Sequence, residues 1–266
     1  MEIRAAISPC PNDIFIFSGL MTGNVMEPND PKFTFTFQDL EMLNQDAQVG
    51  KWDLVKISYA NYAACANTYQ LLRCGGALGR RCGPLLLSNQ KRWDPSEPVL
   101  VPGQATTANF LLDYFYPKGL RKIYLPFDEL YQRLLGSEKC QGVVIHEMRF
   151  TYQADGLVLI RDLGENWEAK TGFPIPLGAV ALRKTKMEPL ANSLWVQKIE
   201  AMIRRSLSWA YSHEPEAMSL CKQYSQSLSD SVLKAHIDLY VNDFSHDLGL
   251  GGDSAVAYFL DHQNRS

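Results

Sequence analysis

The chain has 266 residues, a formal net charge of −3, and hydrophobic and charged fractions of 46% and 21%. These are ordinary globular values and allow one large domain or two modest ones. The densest basic spots, Arg80-Arg81 and Arg204-Arg205, are each two residues long, too little for the counterion release of duplex binding, so nucleic acid is excluded as a partner. No apolar run approaches the ~20 residues of a membrane-spanning helix. The start MEIRAAISPCPNDIF lacks a basic region followed by an apolar stretch and a cleavage site, which predicts a cytoplasmic protein without a signal peptide.

In chain order, IRAAIS (3–8) predicts a strand, followed by a helix from about Asp13 to Met21. FTFTFQ (33–38), β-branched and aromatic, is a second strand. A short helix near Leu40–Val49 leads to the strand LVKIS (54–58) and a helix from Tyr59 to about Ala66. LLR (71–73) and PLLLS (84–88) flank the glycine-rich GGALGRRCG. The polar, proline-bearing RWDPSEP (92–98) reads as a crossing between lobes, and VLVP (99–102) starts a new cycle. A helix over about Thr106–Phe115, a strand KIYLP (122–126) and a helix over about Asp128–Leu135 follow. GVVI (142–145) and LVLI (157–160) are apolar runs of the kind expected for strands covered on both faces. After GAVALRK (178–184), Leu194, Ile199, Ile203, Leu207 and Ala210 recur at helical spacing, and shorter helices follow near 214–226, 229–240 and 253–262.

Alternating β and α elements predict an α/β fold with largely parallel sheets. The second cycle and the helical return divide it into a discontinuous lobe, 1–93 plus 183–266, and an inserted lobe, 94–182. The crossings near Trp93–Pro98 and Leu182–Lys186 would then be the hinge. Folds of this class bind ligands at the carboxyl ends of strands, facing the interlobe crevice.

Three strand-to-helix junctions open with hydroxyl residues: Ser8, Ser58 and Thr106-Thr107. Each offers an N-cap oxygen and a helix start with spare N–H groups, and three such starts would hold a carboxylate without an arginine cluster. Plain capping is the competing reading. His146 follows GVVI at the end of a strand, where an imidazole faces the crevice with a pKa suited to proton abstraction; a structural strand-end histidine is equally compatible with that position. Its neighbour Glu147 either takes a ligand proton, orients the imidazole or pairs with Arg149. His146-Glu147 and His213-Glu214 begin like H-E-x-x-H, but Phe150 and Ala217 occupy the fifth positions, so no zinc helix forms. No nucleotide-binding glycine motif occurs, and no metal or cofactor is expected. His236, His246 and His262 read as surface or core residues. The six cysteines, Cys10, Cys65, Cys74, Cys82, Cys140 and Cys221, form no C-x-x-C pair and read as reduced thiols.

Taken together, SPCPNDIFIF (8–17), KISYANYA (56–63), GGALGRRCGPLL (75–86), TTANFLL (106–112), GVVIHEMRFTYQ (142–153), DLGENWEAKTGFPIPLGAVALR (162–183) and YVNDFSHDLG (240–249) resemble the 1,4-dihydroxy-6-naphthoate synthases of the futalosine route to menaquinone. The resemblance spans nearly the whole chain, and its first and fifth blocks are highly specific. It implies a two-lobed fold like the type II periplasmic solute-binding proteins, with an interlobe ligand cleft. It also implies cofactor-independent lyase chemistry on a small-molecule carboxylate, cyclic dehypoxanthinylfutalosinate, with no obligate protein partner. On this likeness the base is His146, and Ser58, Thr106 and Thr107 lie at the substrate. Ser8, Asn12, Lys56, Asn109 and Glu147, in the same blocks, are the further expected contacts. Ile14, Met148 and the Arg81-Cys82 pair depart from the family pattern. A solute-binding protein and the sister chorismate dehydratase share the fold, but the I-H-E-x-R-F-T-Y block belongs to the synthase.

Overall fold

The computed structural model describes residues 1–90, 92–116, 119–184 and 189–263. The strands are β1 (Glu2–Ile7), β2 (Lys32–Phe37), β3 (Leu54–Ser58), β4 (Tyr69–Leu71), β5 (Ala77–Gly79), β6 (Leu85–Ser88), β7 (Val99–Val101), β8 (Lys122–Tyr124), β9 (Gln141–Val144), β10 (Val158–Asp162) and β11 (Ile175–Arg183). The helices are α1 (Pro11–Met21), α2 (Leu40–Gln48), α3 (Tyr62–Cys65), α4 (Thr107–Phe115), α5 (Phe127–Leu135), α6 (Met148–Thr151), α7 (Leu163–Thr171), α8 (Pro189–Ser212), α9 (Glu214–Tyr224), α10 (Asp230–Tyr240), α11 (Asp243–His246) and α12 (Gly249–Gln263).

Two sheets carry the chain. One has the order β2-β1-β3-β11-β4, with β5 also paired to β11; the other runs β10-β6-β9-β7-β8. The strands β1, β2 and β3 are mutually parallel, as are β8, β7 and β9. By contrast β11 runs antiparallel to β3, β4 and β5, and β6 runs antiparallel to β9 and β10. The sheets are therefore mixed rather than largely parallel. Each antiparallel core strand, β6 or β11, is the one by which the chain arrives from the other sheet. A strand that enters this way needs no helical crossover to come into register.

This topology corrects the expected lobe boundaries at 93/94 and 182/183. β6 already belongs to the second sheet and β11 already belongs to the first, so the chain crosses within 80–84 and again within 163–174. The polar 92–98 segment is a surface loop inside the second lobe, pinned by Gln141, whose amide donates to the Asp94 carbonyl at 2.7 Å. Of the expected Leu182–Lys186 crossing, Leu182 lies in β11, and Thr185 and Lys186 lie outside the described residues. The real crossings lie against each other at Gly83 and Gly164. A Cβ on Gly83 would stand 2.3 Å from the Gly164 Cα, so no side chain fits between the two connecting segments there.

β3 and β9 are buried along their whole length, β9 as the apolar run GVVI predicts and β3 although it carries Lys56 and Ser58. β10 is not. It forms the edge of the second sheet and leaves Val158 and Leu159 37% and 41% exposed, because edge position is a property of the topology and not of the run LVLI. In the first lobe, α1, α8 and α9 cover one face of the sheet around Phe15, Phe17, Ile203 and Leu207. The lobes are tied by an aromatic cluster. Phe259 of α12 packs edge-on against Phe110 of α4 at 4.7 Å and against Trp167 of α7 at 5.5 Å, separations at which ring pairs attract.

The first turn of α10 is capped by the Ser229 side chain, which accepts from the Val232 N–H. The buried residues of this helix, Leu233, His236, Ile237 and Tyr240, form one helical stripe. That stripe carries His236 and Tyr240 to the space between the sheets.

Candidate active site

A cleft opens between the lobes, lined by the carboxyl ends of β1 and β3, the start of α4, the end of β9, and α10. At its floor the Lys56 ammonium meets the Asp13 carboxylate at 2.5 Å, both side chains being almost wholly buried. Asp13 also accepts the Ser8 hydroxyl at 2.7 Å and the Asn12 side-chain amide at 3.0 Å. Lys56 gives a second hydrogen bond to the Gly75 carbonyl at 3.0 Å. A carboxylate in the first turn of α1 sits favourably with the helix dipole. The charge of Lys56 is thus neutralised within the protein, and removing either partner would strand the other in a buried site.

The three hydroxyl junctions turn out differently. Only Thr106 caps by its side chain, accepting from the Asn109 N–H at 3.2 Å. Ser8 precedes the real N-cap, Cys10, and gives its hydrogen to Asp13. Ser58 accepts from the Asn44 amide at 3.1 Å, while its own N–H donates to Asn44 Oδ1 at 2.8 Å. Thr107 donates to the Leu177 carbonyl at 3.1 Å. All four line the cleft, and Thr106, Thr107 and Ala108 bring the start of α4 to it.

His146 lines the cleft from the second lobe, with φ +59. The left-handed backbone is uncommon outside glycine and is tolerated by histidine more than by most residues. Its Nδ1 lies 3.3 Å from the Cys10 Sγ, and the Phe127 ring meets it edge-on at 5.1 Å.

Of the expected contacts, Ser8, Asn12, Lys56, Ser58, Thr106, Thr107 and His146 line one cleft, and Asn109 and Glu147 do not. Asn109 faces the other way: its amide donates to the Gln104 carbonyl and its oxygen accepts from Lys122, which fastens α4 to β8. Glu147 does not pair with Arg149, because that guanidinium holds the Asp162 carboxylate and the Gly83 carbonyl. Among the departures from the family pattern, Cys82 lines the cleft with its thiol pushed up to about 12 by burial. Ile14 lies in the first-lobe core and Met148 packs on the second-lobe core. Asp13, His236 and Tyr240 also line the cleft and were not expected there. Asp13 was legible as an acid three residues into a helix that opens inside a specific motif. His236 was legible only as a histidine on an apolar helical stripe. Among the described residues, no group of three His, Cys, Asp or Glu is placed to hold a metal.

A family described as menaquinone biosynthesis matches residues 3–265. The chain belongs to this family. A 1,4-dihydroxy-6-naphtoate synthase of Thermus thermophilus is 41% identical over 96% of this chain and 91% of its own length. One of Streptomyces coelicolor is 38% identical over 97% and 91%. Among solved structures, an Archaeoglobus fulgidus protein superposes with a TM-score of 0.90 at 27% identity, covering 99% and 97% of the two chains. The alkanesulfonate-binding protein of Xanthomonas axonopodis pv. citri reaches 0.70 at 12% identity, over 99% and 92%. A Candida albicans protein described as having the generic periplasmic binding protein fold also reaches 0.70 at 12%, over 100% and 91%. This menaquinone-biosynthesis chain therefore has the two-lobed periplasmic-binding-protein-like architecture, and no helix among its described residues is long and apolar enough to cross a membrane.

Proposed function

We propose that this protein is a cytoplasmic carbon–carbon lyase that converts cyclic dehypoxanthinylfutalosinate to 1,4-dihydroxy-6-naphthoate. It acts on this small-molecule carboxylate without a cofactor or an obligate protein partner. The observation that carries the reading is the meeting of His146 from the second lobe with Ser58 and the α4 start in one cleft. The substrate carboxylate takes the Ser58 hydroxyl and the first-turn amides of α4, which favour an anion without a free cation. Lys56 holds the floor through Asp13 rather than meeting the carboxylate.

His146 accepts a proton from the carbon next to the spiro junction. The electron pair left on that carbon forms a ring C=C bond as the carbon–carbon bond breaks, and the bonding pair leaves with the sugar-derived fragment as an enolate that takes back the proton held by His146. Aromatisation of the second ring supplies the driving force. Closure of the lobes keeps water from the enol-like intermediate. The test is incubation of the pure protein with cyclic dehypoxanthinylfutalosinate, followed by chromatography for the naphthoate. Binding without product would mark a solute-capturing protein and overturn the reading.

A further inference from the structure

The cleft holds a second imidazole whose protonation the surrounding hydrogen bonds dictate. Asp13 Oδ1 receives both the Lys56 ammonium, at 2.5 Å, and the Asn12 side-chain nitrogen, at 3.0 Å. A carboxylate beside an ammonium only accepts, so the Asn12 NH2 group faces Asp13 and its oxygen faces the other way. That oxygen lies 3.0 Å from His236 Nε2. An amide oxygen also only accepts, so Nε2 carries the proton. Burial, with the field of His146 adding to it, pushes His236 down to about 3. The ring is therefore neutral at any working pH, and its one proton is accounted for. Nδ1 is left with a bare lone pair. It is buried and has no hydrogen-bond partner within the protein, although the ring is 0% exposed and lines the cleft.

An orphaned acceptor of this kind in a folded protein calls for a partner outside the chain. We infer that His236 is a hydroxyl-reading residue: its Nδ1 accepts a hydrogen bond from a neutral O–H of the bound ligand, and the Lys56–Asp13–Asn12 relay holds it in the tautomer that does so. The ring stands 4.6 Å from Tyr240 and 6.5 Å from Phe150, which comes from the second lobe. An aromatic ligand carrying the hydroxyl therefore meets flat surfaces beside the acceptor. His236 is a positioning residue and not a second base, since burial opposes any proton on its Nδ1. A cleft built this way separates ligands by what they donate: His146 is free to exchange a proton, and His236 admits only a group that keeps its own. The identity of the ligand rests on the function proposed above.

The test is nitrogen NMR of the full chain labelled with ¹⁵N-histidine, free and with two probes. These are 1,4-dihydroxy-6-naphthoate and 2-naphthoate, which share the ring and carboxylate and differ in the hydroxyls. The His236→Gln variant identifies the His236 signals, because its amide still reaches Asn12 but offers no acceptor at the Nδ1 position. The free protein is expected to show His236 as the Nε2–H tautomer. The dihydroxynaphthoate is expected to move its Nδ1 resonance upfield, while 2-naphthoate moves the His146 signals and leaves Nδ1 where it was. His236→Gln should bind the dihydroxynaphthoate about 10- to 100-fold more weakly and 2-naphthoate unchanged. An Nδ1–H tautomer, or equal responses to the two probes, would overturn the inference. If neither probe moves the His146 signals, it is the ligand reading that falls, and the tautomer of the free protein still decides the relay.

Discussion

Cys10 and His146 touch across the two lobes, with the Cys10 Sγ 3.3 Å from Nδ1 of the imidazole. Desolvation, followed by the fields of Glu147 and Asp13, pushes the thiol well above its ordinary range. The contact is therefore made by a neutral S–H group, and it steadies the ring without competing as a nucleophile. Replacing His146 should cost turnover a factor of ~10²–10⁴, as removal of a general base does. Because φ is +59 there, alanine adds backbone strain of roughly 1 kcal/mol that glycine avoids. His146→Gly and His146→Ala should thus be equally inactive and unequally stable. Cys10→Ala should lower kcat about 10-fold at unchanged KM, as expected for a lost orienting contact. Near-wild-type turnover in a folded His146→Gly protein would refute the base assignment.

Ser58 and Thr107 should separate in kinetics. The Ser58 oxygen accepts from Asn44 and keeps its hydrogen for a ligand, whereas the Thr107 hydrogen is engaged with the Leu177 carbonyl of the other lobe. Ser58→Ala is expected to raise KM by the ~1–3 kcal/mol of an unmatched buried polar contact, with kcat changed less. Thr107→Ala should instead weaken the seam between the lobes. A Ser58→Ala protein with only kcat reduced would contradict a binding role.

The seam has a second fastening in Glu41. Its carboxylate, on α2, accepts the backbone N–H groups of Gln104 at 3.1 Å and Ala105 at 3.2 Å, just ahead of α4. Since these are charge-assisted bonds worth ~1.5–3 kcal/mol each, Glu41→Ala should populate an open form. Apparent ligand affinity then falls with the closed fraction. Small-angle scattering should report a larger radius of gyration for the free variant, and a ligand should restore the compact one. An unchanged radius would mean that Glu41 does not hold the lobes together.

Gly83→Ala should destabilise the protein by more than an ordinary surface change. Its Cβ would stand 2.3 Å from the Gly164 Cα, and Gly164→Ala would place its own Cβ 2.6 Å from the Gly83 Cα. Backbone must move in both cases, at a cost of ~1–3 kcal/mol or more. The double variant should cost less than the two singles combined, since the first displacement already opens the contact. Urea denaturation of the three variants measures this, and strict additivity would show that the crossings are independent.

His236 should make stability depend on pH. Its folded pKa is lowered to about 3 by burial, so the unfolded chain binds a proton near the ordinary value of ~6.5 that the folded chain refuses. The contribution is whole above ~6.5 and is lost toward 3 at up to about 1.4 kcal/mol per pH unit. Denaturation of wild type and His236→Gln at pH 7 and pH 5 should show the shallower slope in the variant. Parallel slopes would indicate that His236 titrates in the folded state.

Much of this protein is written in its local sequence. LVKIS fits β3 residue for residue, because Val55 and Ile57 are β-branched and favour a strand. The helical spacing of Ile199, Ile203 and Leu207 marks the buried face of α8. His146 beyond the end of β9, and Ser8, Ser58, Thr106 and Thr107, could be placed at a cleft from strand ends, while Asn12 and Lys56 came to it only through the family likeness. What depends on contacts between distant segments had no local trace. The two connections between the sheets pack at Gly83 and Gly164, and neither glycine differs in sequence from a glycine in any turn. The exposure of β10 is set by which strand ends the sheet. Asn109 turned toward Lys122 because α4 needed fastening to β8. His236 gained its tautomer from Asn12, 224 residues away. Periodicity reports which face of an element is buried; the partner of a polar atom on that face is set only when the other segment arrives.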